Sequence, residues 1–225
     1  MIVALTRSLM QDRVRRLPIV LFNLFWLGWE LRGLRRLFAA VPPLQQDQPS
    51  FVLTVTARVV LIVFLATLTL LHALRHPPKA GYATLAPRLD AILGLGLGYF
   101  TLLLTRAPSN PAWDLLSVLL LVSGNLFSIL AALDLGRSLS ILPEARVLVT
   151  HGIYRVIRHP LYLGEGVAFL GVLAAFRSWP ALALLALQFL FQWRRMRWEE
   201  GVLSAQFSDY PAYRARTAAL LPGVY

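Results

Sequence analysis

The sequence predicts an all-α protein, a polytopic transmembrane helical bundle with five to six membrane segments. Hydrophobic residues make up 57% of the 225-residue chain and charged residues only 15%, whereas soluble domains average about 45–50% and about 25%. The mean hydropathy is correspondingly high, at +0.63. The apolar residues also gather in runs of about 15–24 residues, the length that crosses the hydrocarbon core of a bilayer. These three observations predict an integral, multi-pass membrane protein.

The apolar runs differ in length, and each length predicts a different kind of segment. Residues 17–31 form a short run that fits either a span or a helix lying at the interface. Full spans are predicted for residues 51–74, 89–105 and 112–135. Two further runs, 161–176 and 180–193, are joined by a short turn and predict an antiparallel helical hairpin. Residues 194–216 predict a charged, amphipathic tail.

Arginine dominates the charge of the chain. The net charge is +11, and Lys79 is the only lysine. In a chain this apolar, the positive-inside rule and anionic lipid headgroups account for such a charge better than nucleic acid does. With six crossings and the N-terminus inside, most arginines fall on the cytoplasmic side, together with the two polar patches described next. The absence of cysteine excludes disulfides, thiolate metal sites and cysteine nucleophiles.

The first polar patch is the connector, residues 147–162, which reads V-L-V-T-H-G-I-Y-R-V-I-R-H-P-L-Y. Pro160 favours an extended His159 and is well suited to the first position of the following helix. The start of that helix leaves backbone N–H groups free, and these bind carboxylate or phosphate. Tyr154 and Tyr162 supply aromatic faces, against which a sulfonium cation can lie. The connector therefore predicts a binding site at a helix N-terminus.

The second polar patch is R-R-M-R-W-E-E, residues 194–200, which follows the last apolar run. Arg195 and Glu199 are four residues apart and share one helical face, whereas Glu200 falls off that face. An arginine fork can hold a carboxylate or a phosphate. A carboxylate such as Glu199 or Glu200 can bind an amino group or a ribose hydroxyl, or act as a base. We expect the two patches to meet at the membrane surface and form one active site.

These motifs, in this order, resemble the isoprenylcysteine carboxyl methyltransferase and phospholipid methyltransferase superfamily. The resemblance comprises T-H-G-I-Y-R-V-I-R-H-P-L-Y-L-G, the hairpin, R-M-R-W-E-E and F-S-D-Y-P-A-Y-R, over about residues 135–222. It implies a methyltransferase core at 135–225, whereas the apolar runs predict a transmembrane scaffold at 1–134. It also implies S-adenosylmethionine as methyl donor in a cytoplasmic pocket between the connector and the C-terminal helix, and a lipophilic acceptor entering from the bilayer.

The resemblance also implies roles for individual residues. Arg195 matches the arginine that meets the acceptor. The chain departs from the family pattern at Ile153, where many members have proline, and at residues 207–210, which are one residue shorter than the usual motif. The implied cofactor contacts are Arg146, Val147, Leu148, Val149, Tyr154, His159, Pro160, Leu161, Tyr162 and Glu199.

Methyl transfer from a sulfonium is an in-line displacement, so the site chiefly has to align donor and acceptor. An isoprenylcysteine-type carboxylate, the expected acceptor, needs no base and only an arginine such as Arg195 to orient it. A phospholipid amine or a small thiol would need deprotonation, for which Glu199 or Glu200 is the candidate. Arg195, Glu199 and Glu200 are therefore the predicted catalytic residues.

Two other classes of function remain open from the sequence. An NADPH-dependent, sterol-type reductase is one, since such reductases resemble this C-terminal fold, but the chain is short and lacks an evident second basic pocket for a 2′-phosphate. A non-enzymatic lipid-binding or scaffold protein is the other. No metal site is predicted, because His72 and His76 sit at a helix end before two prolines with no nearby carboxylate. The L-G-L-G-L-G stretch, residues 93–98, lacks the preceding strand of a nucleotide-binding loop and indicates close helix packing.

Overall fold

The computed structural model describes residues 2–4, 9–46 and 48–223. Seven α-helices carry most of this part of the chain, so the all-helical prediction is confirmed. They are α1 (Leu9–Ala40), α2 (Pro49–Leu74), α3 (Ala86–Gly96), α4 (Pro111–Leu135), α5 (Pro160–Phe176), α6 (Trp179–Gln206) and α7 (Tyr210–Ala215). Three short strands form one antiparallel sheet in the order β1 (Ile2–Ala4), β2 (Ala80–Tyr82) and β3 (Glu144–Ala145).

Two of the helices are long and apolar enough to cross a membrane. They are α2 and α4, the latter with a 3₁₀ extension to Ser138, while α5 is apolar but shorter. Only 17% of the most apolar window of α2 and 39% of that of α4 are buried inside the protein. The core helix of a soluble protein would be mostly buried, so these outward apolar faces fit a lipid environment. The expected total of five to six membrane segments stays a prediction.

The short apolar run at 17–31 is the middle of a much longer helix. Helix α1 extends over 32 residues and continues through Pro18. It packs along α2, where Arg58 donates a 2.7 Å hydrogen bond to Glu30. An arginine inside an apolar helix is costly to insert into lipid, and a carboxylate partner on the neighbouring helix offsets that cost.

The run at 89–105 was predicted as one span, but it forms an α-helix followed by a 3₁₀ helix. Helix α3 ends at Gly96, and a 3₁₀ helix, Leu97–Leu103, continues it. Two of its glycines face α6 closely. A Cβ at Gly94 would lie 3.3 Å from the backbone nitrogen of Gln192, and one at Gly98 would lie 2.6 Å from the Gln188 side-chain oxygen. The expectation of close helix packing by this glycine-rich stretch is therefore confirmed at these two positions.

The site is positioned by the packing of α4 against α5. Gly124 and Gly164 face each other so closely that a Cβ on Gly164 would lie 2.8 Å from the carbonyl oxygen of Gly124. Further along the same interface between α4 and α5, the Ser117 hydroxyl donates a 2.8 Å hydrogen bond to the carbonyl oxygen of Gly171. Small residues thus let the two backbones approach, and the N-terminus of α5 is held beside the end of α4.

The predicted hairpin is present, with a turn of only two residues between α5 and α6. Arg177 adopts a left-handed conformation with φ of 44°, and the Ser178 hydroxyl accepts a hydrogen bond from the backbone N–H of Ala181. Helix α6 then runs without a break through the apolar run and the charged patch, as far as Gln206. The charged patch therefore belongs to the same rigid helix as the second arm of the hairpin.

The C-terminal residues fold back onto the connector. Backbone N–H groups of Arg158 and His159 donate to the carbonyl oxygens of Ala218 and Ala219, at 2.8 and 3.0 Å, and Ala218 donates back to Val156 at 3.1 Å. This short parallel pairing ties the end of the connector to the segment that follows α7. It fixes the direction in which the chain enters α5.

Candidate active site

The two polar patches meet around one cavity. Helix α6 supplies one wall, the connector and the first turn of α5 supply the second, and α7 closes a third side. Of the predicted site residues, Pro160 and Glu200 do not line the cavity, although both neighbour residues that do. The predicted residues that line it are Arg146, Val147, Leu148, Val149, Tyr154, His159, Leu161, Tyr162, Arg195 and Glu199.

Three of these residues form a continuous contact across the cavity. The Tyr162 hydroxyl donates a 2.5 Å hydrogen bond to Glu199, and the Arg195 Nε donates to the same carboxylate oxygen at 3.1 Å. The Arg195 guanidinium also lies over the Tyr162 ring, 4.9 Å from its centroid, and bonds the carbonyl oxygen of Ser140 at 2.9 Å. The predicted Arg195 and Glu199 pair on one helical face is confirmed, and both residues point at the start of α5.

Glu200 also reaches the connector, although it lies off the face that carries Arg195. Its carboxylate accepts hydrogen bonds from the Arg158 Nε at 2.8 Å and from the His159 Nε2 at 3.2 Å, and Arg214 lies 3.5 Å away. Burial by itself would raise the pKa of Glu200, but the hydrogen bonds from His159 and Arg158 outweigh it and lower that pKa to about 2. Glu200 is therefore a persistent anion that anchors the end of the connector.

Arg146 is hydrogen-bonded to the fold around the cavity through its two terminal nitrogens. Its side chain donates to Glu144 at 2.7 Å and to the carbonyl oxygen of His76, just beyond α2. Burial, partly offset by Glu144, lowers the pKa of Arg146 to about 10. One atom remains unsatisfied, since the buried Nε has no hydrogen-bond partner. Arg146 thus ties the cavity wall to the N-terminal helices and leaves a single N–H group for a ligand.

The sharp turn of the connector explains two of its residues. Gly152 has a φ of 55°, and a Cβ at this position would clash with the Asp134 carboxylate. The same carboxylate accepts a 2.7 Å hydrogen bond from the backbone N–H of Ile153. Proline, which many family members are expected to carry at this position, has no N–H group and could not make that bond. The departure at Ile153 is therefore matched by a local contact.

Several lining residues were not among the predicted site residues. The Tyr213 hydroxyl donates a 2.7 Å hydrogen bond to the carbonyl oxygen of Tyr154, and Tyr210 is 1% exposed, with a hydroxyl that has no partner. Arg158 lies within the predicted connector, where the sequence predicted only a positively charged loop residue. The tyrosines belong to the tail motif F-S-D-Y-P-A-Y, which was a usable signal. Ser140 and Glu144 also line the cavity. They lie outside the recognised motifs, so no sequence signal pointed to them.

The lining residues have the chemistry that a sulfonium donor requires. Aromatic rings and the Glu199 carboxylate suit a cation. The unpartnered Arg146 Nε and Tyr210 hydroxyl, both buried in the cavity wall, suit polar atoms of a ligand. No side chain caps the start of α5 at His159, so the N–H groups of its first turn are open to an anion. The chemical types of the lining residues therefore fit S-adenosylmethionine.

The size of the cavity adds a condition. It measures about 100 Å³, whereas small-molecule sites usually measure about 300–1,000 Å³. The contact between Tyr162 and Glu199 spans the cavity and narrows it. A nucleoside-sized ligand consequently requires this contact to open or to turn aside.

Histidines and carboxylates of the chain are potential metal ligands. Across residues 2–4, 9–46 and 48–223, no group of three or more metal-ligating side chains lies close enough to hold an ion. His72, one of the two histidines spaced four apart, has its Nδ1 within 2.7 Å of the carbonyl oxygen of Leu68 and 3.3 Å from the Asn23 amide. These contacts give His72 a place in the packing of α1 on α2.

Parts of the chain are similar to one protein family and to two heavy-metal resistance proteins. Residues 113–210 match the family model described as phospholipid methyltransferase. A nickel-cobalt-cadmium resistance protein of Alcaligenes xylosoxydans xylosoxydans is 38% identical over 76 residues, which cover 33% of this chain and 36% of that protein. A cobalt-zinc-cadmium resistance protein of Cupriavidus metallidurans is 37% identical over 76 residues, which cover 33% of this chain and 35% of that protein. The matched part thus spans about a third of the length of these curated relatives.

The family match covers α4, the connector, the hairpin and the start of α7, which are the elements that surround the cavity. Together with the two apolar helices, it indicates a membrane location. The resemblance inferred from the motifs is confirmed. Residues 113–210 thus match the phospholipid methyltransferase family, which lies within the isoprenylcysteine and phospholipid methyltransferase superfamily.

Proposed function

We propose that the protein is an integral membrane methyltransferase that uses S-adenosylmethionine and acts on a lipophilic acceptor, by carboxyl O-methylation of an isoprenylcysteine type. One observation carries the proposal. The connector and the charged end of α6 face each other across one cavity, joined by the contact of Tyr162 with Glu199 and Arg195. The family match over residues 113–210 supports methyl transfer as the class of reaction.

In this proposal the donor lies between the connector and α6. S-Adenosylmethionine supplies an electrophilic methyl group on a sulfonium. Tyr154 and Tyr162 present aromatic surface to the cation, and Glu199 accepts hydrogen bonds from the polar part of the donor. The first turn of α5, at Leu161 and Tyr162, binds the donor's carboxylate through open N–H groups. Val147, Leu148 and Val149 form an apolar wall, and Arg146 adds its unpartnered Nε.

The state of Arg195 supports an anionic acceptor. It is 5% exposed and uses its Nε and Nη2 for Glu199 and Ser140, while its Nη1 makes no hydrogen bond to any residue that the structure describes. That nitrogen can hold the carboxylate of an acceptor and aim one oxygen along the line of displacement. Because a carboxylate is already a nucleophile at neutral pH, the reaction needs no base.

A phospholipid amine is the second candidate acceptor, favoured by the description of the matching family. An ammonium must lose a proton before it can attack, so this reaction needs a base. Glu200 is unsuited to that task, because its ion pairs lower its pKa to about 2. Glu199 lines the cavity and would have to serve. In this proposal Glu200 positions the end of the connector through its bonds to His159 and Arg158. Pro160 positions the start of α5.

The proposed membrane location of the protein rests on its apolar helices and on the distribution of its positive charges. The apolar helices are proposed to form a multi-pass membrane domain, with the active site facing the cytoplasm by the positive-inside rule. The acceptor would reach the cavity from the bilayer, and membrane lipids would surround the helices.

Binding of the donor is the first test. Isothermal titration calorimetry of the detergent-solubilised protein with S-adenosylmethionine should give saturable binding, weakened about tenfold or more in Glu199→Gln by the loss of a charged hydrogen-bond acceptor. Arg106→Gln removes an exposed arginine away from the cavity and is the matched control. Binding of NADPH in place of S-adenosylmethionine would instead identify a reductase, and binding of neither would leave a scaffold or lipid-binding protein.

Identification of the acceptor is the second test. Purified protein is incubated with isotopically labelled S-adenosylmethionine and, separately, with a farnesylcysteine carboxylate and with phosphatidylethanolamine vesicles. Mass spectrometry then locates the label. A labelled methyl ester supports carboxyl O-methylation, whereas label on the headgroup nitrogen assigns the phospholipid reaction. Arg195→Gln should abolish the ester product while leaving the donor affinity within about threefold of wild type.

A further inference from the structure

We propose that a second pocket, between α1, α3 and the segment before β3, binds an amphiphile with one anionic head and one apolar chain. The pocket measures about 560 Å³, within the range of about 300–1,000 Å³ usual for small-molecule sites. It shares only Leu142 and Glu144 with the cavity of the active site. Most of its lining lies before residue 113, outside the segment that matches the methyltransferase family.

The anionic head is inferred from Arg75, which lines the pocket at the end of α2. Arg75 is 7% exposed, and its buried Nε has no hydrogen-bond partner. No hydrogen bond or ion pair joins its guanidinium to any residue that the structure describes. A buried guanidinium without a direct partner is costly for the fold. An anion bound against Arg75 would offset that cost.

The two acidic residues of the pocket attract Arg75 electrostatically, but neither makes a hydrogen bond or ion pair with it, and arginines outside the pocket already engage both. Asp12 accepts a 2.8 Å hydrogen bond from the Arg16 Nε, and Glu144 accepts one of 2.7 Å from Arg146. The pocket itself presents two further arginines, the exposed Arg15 and the half-buried Arg88. The lining therefore has an excess of positive charge, which favours an anionic ligand.

The apolar chain is inferred from the rest of the lining. Away from Arg75 the surface is mainly aliphatic and aromatic, and its exposed area is mostly apolar. A small inorganic anion would leave this surface in contact with water, whereas an acyl or alkyl chain would cover it. The apolar lining residues are Pro18, Ile19, Phe22, Ile92, Leu95, Ile141, Leu142 and Pro143.

The head chemistry common to the candidate ligands is an oxyanion, either the carboxylate of a fatty acid or the phosphate of a lipid. The test therefore uses four probes in a neutral detergent: hexadecanoate, hexadecyl phosphate, hexadecanol and inorganic phosphate. Microscale thermophoresis of the full-length protein without S-adenosylmethionine measures binding, so the result does not depend on methyl transfer. We expect at least one of the two amphiphilic anions to bind about tenfold or more tightly than hexadecanol and inorganic phosphate. The tighter of the two identifies the head.

Arg75→Met keeps the length of the side chain and removes its charge. We expect binding of the anionic amphiphile to fall about tenfold or more, while Arg106→Gln leaves it unchanged. The melting temperature of ligand-free Arg75→Met should be equal to or above that of wild type, because an unpaired buried charge has been removed. A structural arginine would give the opposite shift.

Leu95→Trp, which fills the apolar part of the pocket, provides a second variant should Arg75→Met fail to fold. It should abolish binding of the anionic amphiphile without affecting the affinity for S-adenosylmethionine. Equal binding of hexadecanol and hexadecanoate, or unchanged binding in either variant, would overturn the proposal.

Discussion

The hydroxyl of Tyr162 lies 2.5 Å from the Glu199 carboxylate, and the two residues are 37 positions apart in the chain. Tyr162 stands in the first turn of α5 and Glu199 near the end of α6, so their contact closes the open end of the hairpin. Arg195 lies against both. Because the same contact narrows the cavity, it links the stability of the hairpin to the access of a ligand.

The first prediction concerns this hydrogen bond. Tyr162→Phe removes the buried hydroxyl and leaves Glu199 with Arg195 and with His159, whose Nδ1 lies 4.0 Å away, so the free energy of unfolding should fall by about 1–3 kcal/mol. Unfolding in mixed micelles of a mild and a denaturing detergent measures the change. Tyr82→Phe is the matched control, since the Tyr82 hydroxyl makes no hydrogen bond within the described part of the chain. Equal losses in the two variants would show that the contact contributes nothing specific.

The second prediction concerns acid stability. The pKa of Glu200 is lowered from 4.5 to about 2 in the folded protein, so its ion pairs stabilise the fold at every pH above about 4.5. This contribution should be lost progressively as the pH falls from 4.5 toward 2, because the unfolded state then binds the proton first. We expect a loss of about 1–3 kcal/mol, part of the full shift being screened by solvent.

The matched variant for this pH profile is Glu200→Gln. It should be less stable than wild type at pH 7 and should lack the part of the acid-dependent loss that Glu200 contributes between pH 4.5 and 2. Folding free energies of the two proteins in detergent, measured across this range, provide the comparison. Parallel pH profiles would contradict the assignment of this ion-pair cluster as the cause.

The third prediction concerns the contact between α4 and α5. Gly164→Ala places a Cβ 2.8 Å from the carbonyl oxygen of Gly124, so the helices must separate and the protein should lose about 1–3 kcal/mol. Gly166→Ala, two residues away in the same helix, meets no atom within 4 Å. It should be neutral or slightly stabilising, because alanine favours a helix more than glycine does. Similar losses in both variants would refute the close approach.

The fourth prediction concerns the turn at Gly152. Alanine there must adopt a φ of 55°, which costs about 1–2 kcal/mol, and its Cβ meets the Asp134 carboxylate. The total loss should therefore exceed the backbone cost. In an Asp134→Ala background the same Gly152→Ala change should cost less, since the clash is gone. A double-mutant cycle on unfolding free energies measures the difference, and strict additivity would show that the two positions do not interact.

Much of the architecture is predictable from local patterns. The runs at 51–74 and 112–135 became α2 and α4, and the two-residue turn at Arg177 and Ser178 forms the expected hairpin. Hydropathy and turn propensity depend on residues that are adjacent in the sequence, so they can be recognised without knowledge of the fold. The break at Gly96 in the third run, residues 89–105, was missed, because the packing of Gly94 and Gly98 on α6 decides it.

The site was predictable in composition and only partly in arrangement. The motifs located the connector, Arg195 and Glu199, and these residues do line one cavity. Their spacing gave no sign that Glu200 would be held by Arg158 and His159. Nor did it indicate that Tyr210 and Tyr213 would return to close the cavity. Such pairings join elements far apart in the chain and depend on how the helices cross.

The order of residues alone was sufficient to indicate an apolar helical protein, the family that residues 113–210 resemble and the two polar patches, because composition and short motifs carry that information. Tertiary packing decided which charges are paired and which are left alone. Helical periodicity places Arg75 near the end of a helix but does not reveal its partners. Only the approach of α1, α3 and the segment before β3 encloses its guanidinium without a hydrogen-bonded partner. Burial of a charge depends on surfaces contributed by distant segments, and for this reason the second pocket appears only in the folded chain.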